Sequence, residues 1–333
     1  MDKSKRPRIA VVGGDSLAGR EVRDLIHAIQ PAPAVELFSG DAGHPKLTRD
    51  EEGDATVLQP MSAANLAGVA AVILAGTPES SRRALELTTG SSTPLIDLFA
   101  VLEEQPDARV RSPLLEPPET PRGAKIDVIA HPAATMLAQF YARIGVKWPI
   151  RRSVVMVLEP ASERGQQGIH ELQSQTVNLL SFKPLPKNVY DAQLGFNLLP
   201  ALGTEAPAAL EPVEARMDRH LATLLNVSSR APMPSLRLVQ APVFHGYSAS
   251  VWVEFETNPT AEELRMALAC AQIEVRGPDE EPPDNAGAAG QSGLTVGDIR
   301  QDRNQPRAFW FWLVSDNIRT QAETAVAVLR EYL

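Results

Sequence analysis

Cysteine is nearly absent from this sequence of 333 residues, in which Cys270 is the only one. A single thiol excludes internal disulfides and any metal site built from several cysteines. Cys270 ends an apolar, helix-like pattern (264–270), which predicts a buried and unreactive thiol rather than a nucleophile. His170 and His220 lie in helical patterns without a second ligand four residues away, so we predict no metal site.

Long apolar runs and positive charge are also scarce. No stretch reaches about 18 apolar residues, so we predict no membrane-spanning helix. Residues 1–6 lack the apolar core of a secretory signal, and we expect a cytoplasmic protein. Lys and Arg number 32 against 41 Asp and Glu, which gives a formal net charge of -9. That balance argues against nucleic acid or an anionic membrane as a partner.

A strand, a glycine-rich turn and a helix start stand near the beginning of the chain. The spacing Gly13-x-x-Ser16-x-x-Gly19 follows the apolar run 8–12 and precedes helical spacing over 20–26. This context favours a dinucleotide fingerprint, with Gly13 in the tight turn and Gly19 where helix packs on strand. A glycine is expected in place of Ser16, because a Cβ hinders the approach of backbone to the pyrophosphate. The turn therefore belongs either to a dinucleotide site or to a Rossmann scaffold that no longer binds a nucleotide.

The remaining cofactor contacts are predicted in the loops that follow the next strands. The loop after strand 35–38 is where a dinucleotide's adenosine ribose would lie, and it offers Asp41 rather than an arginine for a 2′-phosphate. NAD is therefore favoured over NADP, although Asp between glycines is also a common turn residue. The strand 69–75 ends at a second candidate loop. The predicted cofactor-binding residues are Gly13, Asp15, Ser16, Leu17, Ala18, Gly19, Ser39, Gly40, Asp41, Gly76 and Thr77.

Two fold classes follow each other along the chain. Strands alternate with helices at first, which predicts an α/β, Rossmann-type dinucleotide-binding domain with a parallel sheet. The Pro-, Arg- and Glu-rich segment 105–124 is interpreted as a surface connection. Later strands joined without regular crossovers predict an α+β domain with a mainly antiparallel sheet. The predicted domains are 1–130 with 316–333, and 131–315.

Five segments in order resemble the aspartate-semialdehyde dehydrogenase family along nearly the whole chain. Within them, Val239-Gln240-Ala241-Pro242-Val243-Phe244 is most similar to the Usg-like branch of that family. The resemblance implies a Rossmann-type domain completed by the C-terminal helix and a central α+β domain that forms a homodimer. Pairing with an active paralogue is the alternative partner that we consider. The five segments are 11–21, 196–200, 241–244 with Gly246, 296–300 and 315–319.

The family's chemistry is the reductive dephosphorylation of β-aspartyl phosphate with NADPH through a thioacyl enzyme. It requires a cysteine nucleophile, a histidine acid/base and an arginine for the substrate carboxylate. The resemblance assigns the nucleophile to Ala134, the assisting glutamine to Glu159, the arginine to Gln240 and the histidine to Tyr247. It also assigns a glycine and a cofactor-facing asparagine near the terminal helix to Gln321 and Ala325.

Two hypotheses follow from these substitutions. The first is a non-catalytic homodimer that either still binds NAD(P) or has lost that binding. The second is an NAD(P)-dependent oxidoreductase of amino-acid biosynthesis that acts on an aldehyde or oxo group without a cysteine. His131, beside Ala134, and His245, two residues before Tyr247, are candidate acid/base substitutes. The alternative for both histidines is an ordinary structural role.

Overall fold

The computed structural model describes residues 6–39, 46–49, 55–117, 119–120, 123–229 and 231–333. The chain divides into two compact units. The first unit consists of Met1–His131 and Gln321–Leu333, and the second of Pro132–Thr320. Within the described ranges, no helix has both the length and the apolarity needed to cross a bilayer.

The first unit is built on a parallel sheet. Its central strand carries Ile9, Ala10, Val11 and Val12, all fully buried, because β-branched and small apolar residues suit a strand covered on both faces. Its strands are β1 (Arg8–Val12), β2 (Ala34–Phe38), β3 (Lys46–Arg49), β4 (Ala55–Leu58), β5 (Ala71–Leu74), β6 (Leu95–Asp97), β7 (Ala108–Arg111) and β8 (Ile126–Ile129). Its helices are α1 (Leu17–His27), α2 (Ala63–Leu66) and α3 (Pro78–Leu87).

The strand order of this sheet is β2-β1-β5-β6-β8-β7, and each pair is parallel. The predicted Rossmann-type parallel sheet is therefore confirmed. The strands β3 and β4 pair separately as an antiparallel ribbon. The segment 105–124 is more than a surface connection, because it contributes the edge strand β7.

A buried arginine ties β7 to the last residues of the chain. Arg111 is 1% exposed, and its Nη1 lies 2.9 Å from Asp127 on β8. Its Nη2 lies 2.7 Å from Glu331, and Tyr332 is hydrogen-bonded to Asp127. Buried charge is tolerated when it is paired in this way. The C-terminal residues 321–333 thereby belong to the first unit.

The second unit is built on a mixed sheet. Its strands are β9 (Ile150–Glu159), β10 (Ser235–Gln240), β11 (Tyr247–Phe255), β12 (Ile273–Val275), β13 (Leu294–Gln301) and β14 (Ala308–Ser315). Its helices are α4 (Pro132–Gly145), α5 (Gly165–Leu180), α6 (Glu211–Ser228), α7 (Ala261–Leu268) and α8 (Asn285–Ala288). The helix α9 (Asn317–Leu329) begins in this unit and ends in the first.

The predicted mainly antiparallel sheet needs correction. The strand order is β10-β9-β11-β14-β13-β12, in which the pairs β10–β9 and β12–β13 are parallel and the other three are antiparallel. For the pair β10–β9 the reason is a helical crossover, because α5 and α6 lie between the two strands and return the chain to the same end of the sheet. The sequence pattern of strands alone does not reveal this crossover.

One face of the mixed sheet packs on helices and the other is largely uncovered. On the inner face, Phe140 of α4 contacts Phe311 edge to face at 5.0 Å, and Tyr141 donates a hydrogen bond to Ser153 at 3.0 Å. On the outer face, Val154, Met156 and Trp310 are 51%, 48% and 38% exposed. The register pairs Trp252 with both Val154 and Trp310, so these apolar side chains form one continuous row.

Candidate functional site

The strands β9 and β10 end side by side, and each ends in a polar residue. Glu159 is the last residue of β9 and Gln240 the last of β10, and the register pairs the two. Because the strands are parallel, their carboxyl ends meet at one edge of the sheet. Both side chains are fully buried. Nε2 of Gln240 donates to the backbone oxygen of Glu159 at 2.8 Å and to that of Ala241 at 3.4 Å.

The turn after β9 brings an arginine back to Glu159. The residues Ala161–Arg164 form one 3₁₀ turn. The backbone N–H groups of Ala161 and Ser162 donate to the oxygens of Val243 and Phe244, at 2.8 and 2.9 Å. This anchoring places Nη2 of Arg164 2.9 Å from Oε1 of Glu159. A carboxyl and a guanidinium thus meet at the end of the strand.

The contact between Glu159 and Arg164 is close but incomplete. Among the described residues, neither oxygen of Glu159 accepts a hydrogen bond of proper geometry, and neither Nε nor Nη2 of Arg164 donates one. Burial raises the pKa of Glu159 to about 7, and Arg164 only partly opposes this effect. The carboxyl is therefore protonated for part of the time near neutral pH.

A second carboxyl, Glu163, lies on the same turn and is held by Asn317. Nδ2 of Asn317 donates to Glu163 at 2.7 Å, and Oδ1 of Asn317 accepts from the backbone of Gly246 at 3.0 Å. Tyr247, the first residue of β11, is buried and hydrogen-bonded to Glu163. Replacement of water by protein raises the pKa of both Glu163 and Tyr247. The structure thus brings together Glu159, Gln240 and Tyr247, three of the positions singled out in the sequence.

The position assigned to a nucleophile holds no reactive group. Ala133 and Ala134 lie in the first turn of α4 and are fully buried. The only thiol of the chain is far along the sequence, and the prediction that Cys270 is buried in a helix is wrong. The helix α7 ends at Leu268, so Cys270 lies beyond it, exposed, with Sγ 3.6 Å from Oε1 of Gln272.

Of the two candidate histidines, His131 and His245, the second is not aligned with Tyr247 as the sequence suggested. Gly246 has a φ of +81°, so the extended alternation that would align His245 with Tyr247 is interrupted between them. His245 is half-buried, and its backbone oxygen accepts from Asn285 at 3.2 Å. His131 is buried at the end of the first unit. Within the described residues, no group of three or more His, Cys, Asp and Glu side chains could hold a metal ion.

The glycine-rich turn of the first unit has the backbone that a dinucleotide fingerprint requires. Gly13 has a φ of +73°, and an added Cβ would overlap the backbone of Gly76. A Cβ at Gly19 would likewise overlap the backbone of Gly13. These two glycines let the β1 turn, the start of α1 and the loop after β5 approach each other closely. The adjacent strands β1 and β5 are parallel, so the two loops share one edge of the sheet.

Ser16 and Thr77 cap the two helices at this edge. The Ser16 hydroxyl accepts from the backbone N–H of Gly19 at 2.9 Å and donates to the oxygen of Ala75 at 2.7 Å. Oγ1 of Thr77 accepts from the backbone of Ser80 at 3.3 Å. Both side chains therefore satisfy helix N–H groups. Asp15, Leu17, Ala18 and Ser39 lie in or beside these loops, whereas Gly40 and Asp41 lie outside the described residues.

Four residues of the site in the second unit were not predicted from the sequence. They are Glu163, Arg164, Tyr190 and Asn317. The adjacent charged residues in the turn that follows the end of β9 are a signal that could have pointed to Glu163 and Arg164. Tyr190 carries no such signal, since it lies in a loop between α5 and α6 and reaches the site only through folding. Its hydroxyl approaches Gly168, one turn into α5.

Comparison with known proteins identifies the second unit by family. The model of the semialdehyde dehydrogenase dimerisation domain matches residues 143–320, which is more than half of the chain. The chain therefore belongs to the semialdehyde dehydrogenase family, and the family resemblance predicted from its segments is confirmed. A dimerisation domain also suggests a homodimer.

Two curated relatives illustrate the similarity. The "USG-1 protein homolog" of Pseudomonas aeruginosa is 33% identical over 173 residues, covering 52% of this chain and 51% of the relative. The aspartate-semialdehyde dehydrogenase of Aquifex aeolicus is 25% identical over 333 residues, covering 98% of this chain and 97% of the relative.

Two solved structures share the fold. Aspartate semialdehyde dehydrogenase II from Vibrio cholerae has a TM-score of 0.83 at 21% identity, with 98% of each chain covered. The Candida albicans enzyme, solved with NADP, has a TM-score of 0.67 at 16% identity, with 99% of this chain and 98% of that chain covered. At these identities the likeness concerns the fold alone.

Proposed function

We propose that this chain is a non-catalytic member of the family that acts as a homodimeric binding protein. The observation that carries this proposal is Ala134, a fully buried methyl group at the position that the family resemblance assigns to the nucleophile. A methyl group forms no covalent bond to an acyl group. Cys270 does not replace the missing nucleophile in α4, because it lies exposed beyond the end of α7.

The other assigned positions support the same proposal. Gln240 lacks the charge and the two-pronged donor geometry of an arginine, and its amide already donates to backbone oxygens of Glu159 and Ala241. Tyr247 is buried beside Glu163, with its pKa raised well above the usual value for a phenol, so it makes a poor base at neutral pH. Glu159 places a carboxyl where the family resemblance assigns an amide, and in its ionised form this carboxyl would repel an incoming acyl phosphate.

Dinucleotide binding by the first unit is a second part of the proposal. The close approach of Gly13 to Gly76 and the N-termini of α1 and α3 at one sheet edge support a site for a pyrophosphate. Ser16 is the residue that weighs against it, because its Cβ stands where glycine is expected. We propose that the site prefers NAD to NADP, on the ground of Asp41 in the sequence.

A second copy of this chain is the proposed partner of the outer sheet face. The row formed by Val154, Trp252 and Trp310, with Met156 beside it, is the apolar surface that would be covered. Aromatic residues and methionine are enriched in subunit interfaces, whereas isolated charges are depleted there. An active paralogue with a similar face would be the alternative partner.

Two measurements test the proposed function. The purified protein is assayed for the conversion of aspartate semialdehyde with phosphate and NAD or NADP, followed by the absorbance of the reduced nicotinamide. We expect no turnover above the rate without protein, and turnover that Tyr247→Phe or His131→Ala abolishes would refute the proposal. Calorimetric titration with NAD and with NADP then separates a working cofactor site from an empty scaffold.

A cysteine-independent oxidoreductase is a second candidate, favoured by one observation. Glu159 has its pKa raised to about 7 in a cluster with Glu163 and Tyr247. A carboxyl that titrates near neutral pH suits general acid/base catalysis. Hydride transfer to small aldehydes in the presence of NADH or NADPH, lost in Glu159→Gln, would favour this candidate over the first.

A further inference from the structure

Buried polar atoms without a hydrogen bond collect at the end of β9. Of the sixteen such atoms among the described residues, six lie here: both oxygens of Glu159, Nε and Nη2 of Arg164, Oε1 of Gln240 and the hydroxyl of Tyr190. Glu159, Gln240 and Tyr190 are fully buried, and the side chain of Arg164 is 11% exposed. Folded proteins keep few such atoms, because each unpaired buried group costs free energy.

These atoms belong to one place. Nη2 of Arg164 lies 2.9 Å from Oε1 of Glu159, and Gln240 donates to the backbone of Glu159 at 2.8 Å. Tyr190 approaches the first turn of α5 at Gly168, where an added Cβ would lie 2.8 Å from the Tyr190 hydroxyl and 2.6 Å from Cβ of Arg164. Unpaired donors and unpaired acceptors therefore share one buried cluster.

Arg164 presents the edge of its guanidinium that recognises carboxylates. Nε and Nη2 lie on the same side and can donate two parallel hydrogen bonds to a carboxylate or a phosphate. Glu159 contacts this edge through one oxygen, without the alignment that such a pair of bonds needs. The ion pair with Glu159 thus leaves Nε and Nη2 of Arg164 able to donate hydrogen bonds to a ligand.

Arg164 is the positively charged side chain of this cluster among the described residues. The amide of Gln240 is directed at two backbone oxygens, at 2.8 and 3.4 Å. Glu163 is itself acidic and is bonded to Asn317. Arg164 is the one cation acting on Glu159 and Glu163 among the described residues. An anionic ligand that enters here therefore meets Arg164.

We propose that Arg164 binds the carboxylate of a small organic acid at this cluster, in competition with Glu159, its internal counter-ion. Oε1 of Gln240 and the hydroxyl of Tyr190 are the groups that would contact a polar substituent next to that carboxylate. This inference rests on the proposed binding function and gives it a class of ligand. The family resemblance assigns recognition of the anion to Gln240 at the end of β10, whereas this inference assigns it to Arg164 in the turn after β9.

The test measures binding of acetate, L-lactate and L-alanine by saturation-transfer NMR, with ionic strength held constant by chloride. We expect Arg164→Met to weaken binding at least about tenfold, because a bidentate charged contact is lost. We expect Glu159→Gln to strengthen it by about fivefold, because the competing carboxylate is gone. The control Arg303→Met alters an exposed arginine between β13 and β14 and should bind like the wild type. Tighter binding of lactate or alanine than of acetate identifies recognition of the neighbouring substituent.

A paired variant keeps the test decisive if Arg164→Met fails to fold. That substitution leaves Glu159 buried and unpaired, whereas the double variant Glu159→Gln with Arg164→Met buries no charge. The double variant should fold, as judged by circular dichroism, and should not bind. Binding by the double variant at the wild-type level, or no binding of any of the three acids by the wild type, would overturn the inference. Either result leaves the expected absence of turnover untouched, so failure of this inference is distinguishable from failure of the proposed function, which turnover would refute.

Discussion

The guanidinium of Arg164 lies 2.9 Å from the carboxyl of Glu159 because a single 3₁₀ turn reverses the chain between them. The ion pair keeps Glu159 only partly ionised near neutral pH. Burial raises the pKa of this carboxyl to about 7 against the opposing effect of Arg164. The free energy lost when a carboxylate is removed from water can thus exceed the free energy gained from one poorly aligned cationic partner.

The stability of the protein should therefore depend on pH through Glu159. Its pKa is raised from 4.5 to about 7 on folding, so the folded state holds this proton more tightly than the unfolded chain. The resulting stabilisation is complete below pH 4.5 and is lost as the pH rises to about 7. Relative to Glu159→Gln, the wild type should lose about 3 kcal/mol of unfolding free energy across this range. Urea denaturation at a series of pH values measures the difference.

A comparison with Glu104→Gln, which changes an exposed carboxyl, controls for the loss of a negative charge in general. Glu163 is present in all these variants, and its charge is one of the causes of the raised pKa of Glu159. A difference between the wild type and Glu159→Gln that stays constant with pH would contradict the prediction.

A cysteine at the position that the family resemblance assigns to the nucleophile should not create the family's activity. We expect Ala134→Cys, made together with Cys270→Ser, to show no turnover of aspartate semialdehyde. The reason is that Gln240 and Tyr247 still occupy the positions that the family resemblance assigns to the arginine and the histidine. The added sulfur should also destabilise the protein by about 1 kcal/mol, because Ala134 is fully buried. Ala133→Cys is the matched control, and turnover by the Ala134 variant alone would mean that the rest of the site still works.

The turn after β1 should tolerate no side chain at Gly13. Gly13→Ala combines a positive φ of +73° with overlap on Gly76, and we expect a loss of more than about 3 kcal/mol. Gly90 provides the control, since its φ is +79° but nothing lies within 4 Å of an added Cβ. Gly90→Ala should therefore cost only about 1 kcal/mol. Equal losses in chemical denaturation would show that the close approach of the two loops is unimportant.

A lysine on the outer sheet face should dissociate the proposed homodimer. Met156 is 48% exposed on β9, next to Arg237 on β10, so Met156→Lys would place two positive charges in the apolar interface. We expect the variant to sediment as a monomer at concentrations where the wild type is a dimer. Met266→Lys alters a methionine of α7 that is 61% exposed and should leave the assembly unchanged. A Met156→Lys variant that remains dimeric would exclude the outer sheet face as the dimer interface.

Local patterns were the reliable part of the sequence. The apolar run 8–12 became β1, and the glycines beside it occupy the positive φ and the close contacts that glycine alone allows. The edge strand β7 was missed, because its Arg111 resembles a surface residue until Glu116, Asp127 and Glu331 surround it. Cys270 was misplaced for a related reason, since the helical pattern around it continues beyond the point where α7 ends.

By itself the sequence determined the parallel sheet and the family, because these depend on neighbouring residues and ordered segments. The roles assigned to Ala134, Glu159, Gln240 and Tyr247 come from the family resemblance and stay predictions. Only the tertiary structure decided that β10 runs parallel to β9, and that Arg164, Tyr190 and Asn317 join the same cluster. Contacts of this kind depend on where a turn and a crossover return the chain. Hydrophobic periodicity does not predict where the chain returns. The pKa of a buried carboxyl depends on the residues that this return places around it.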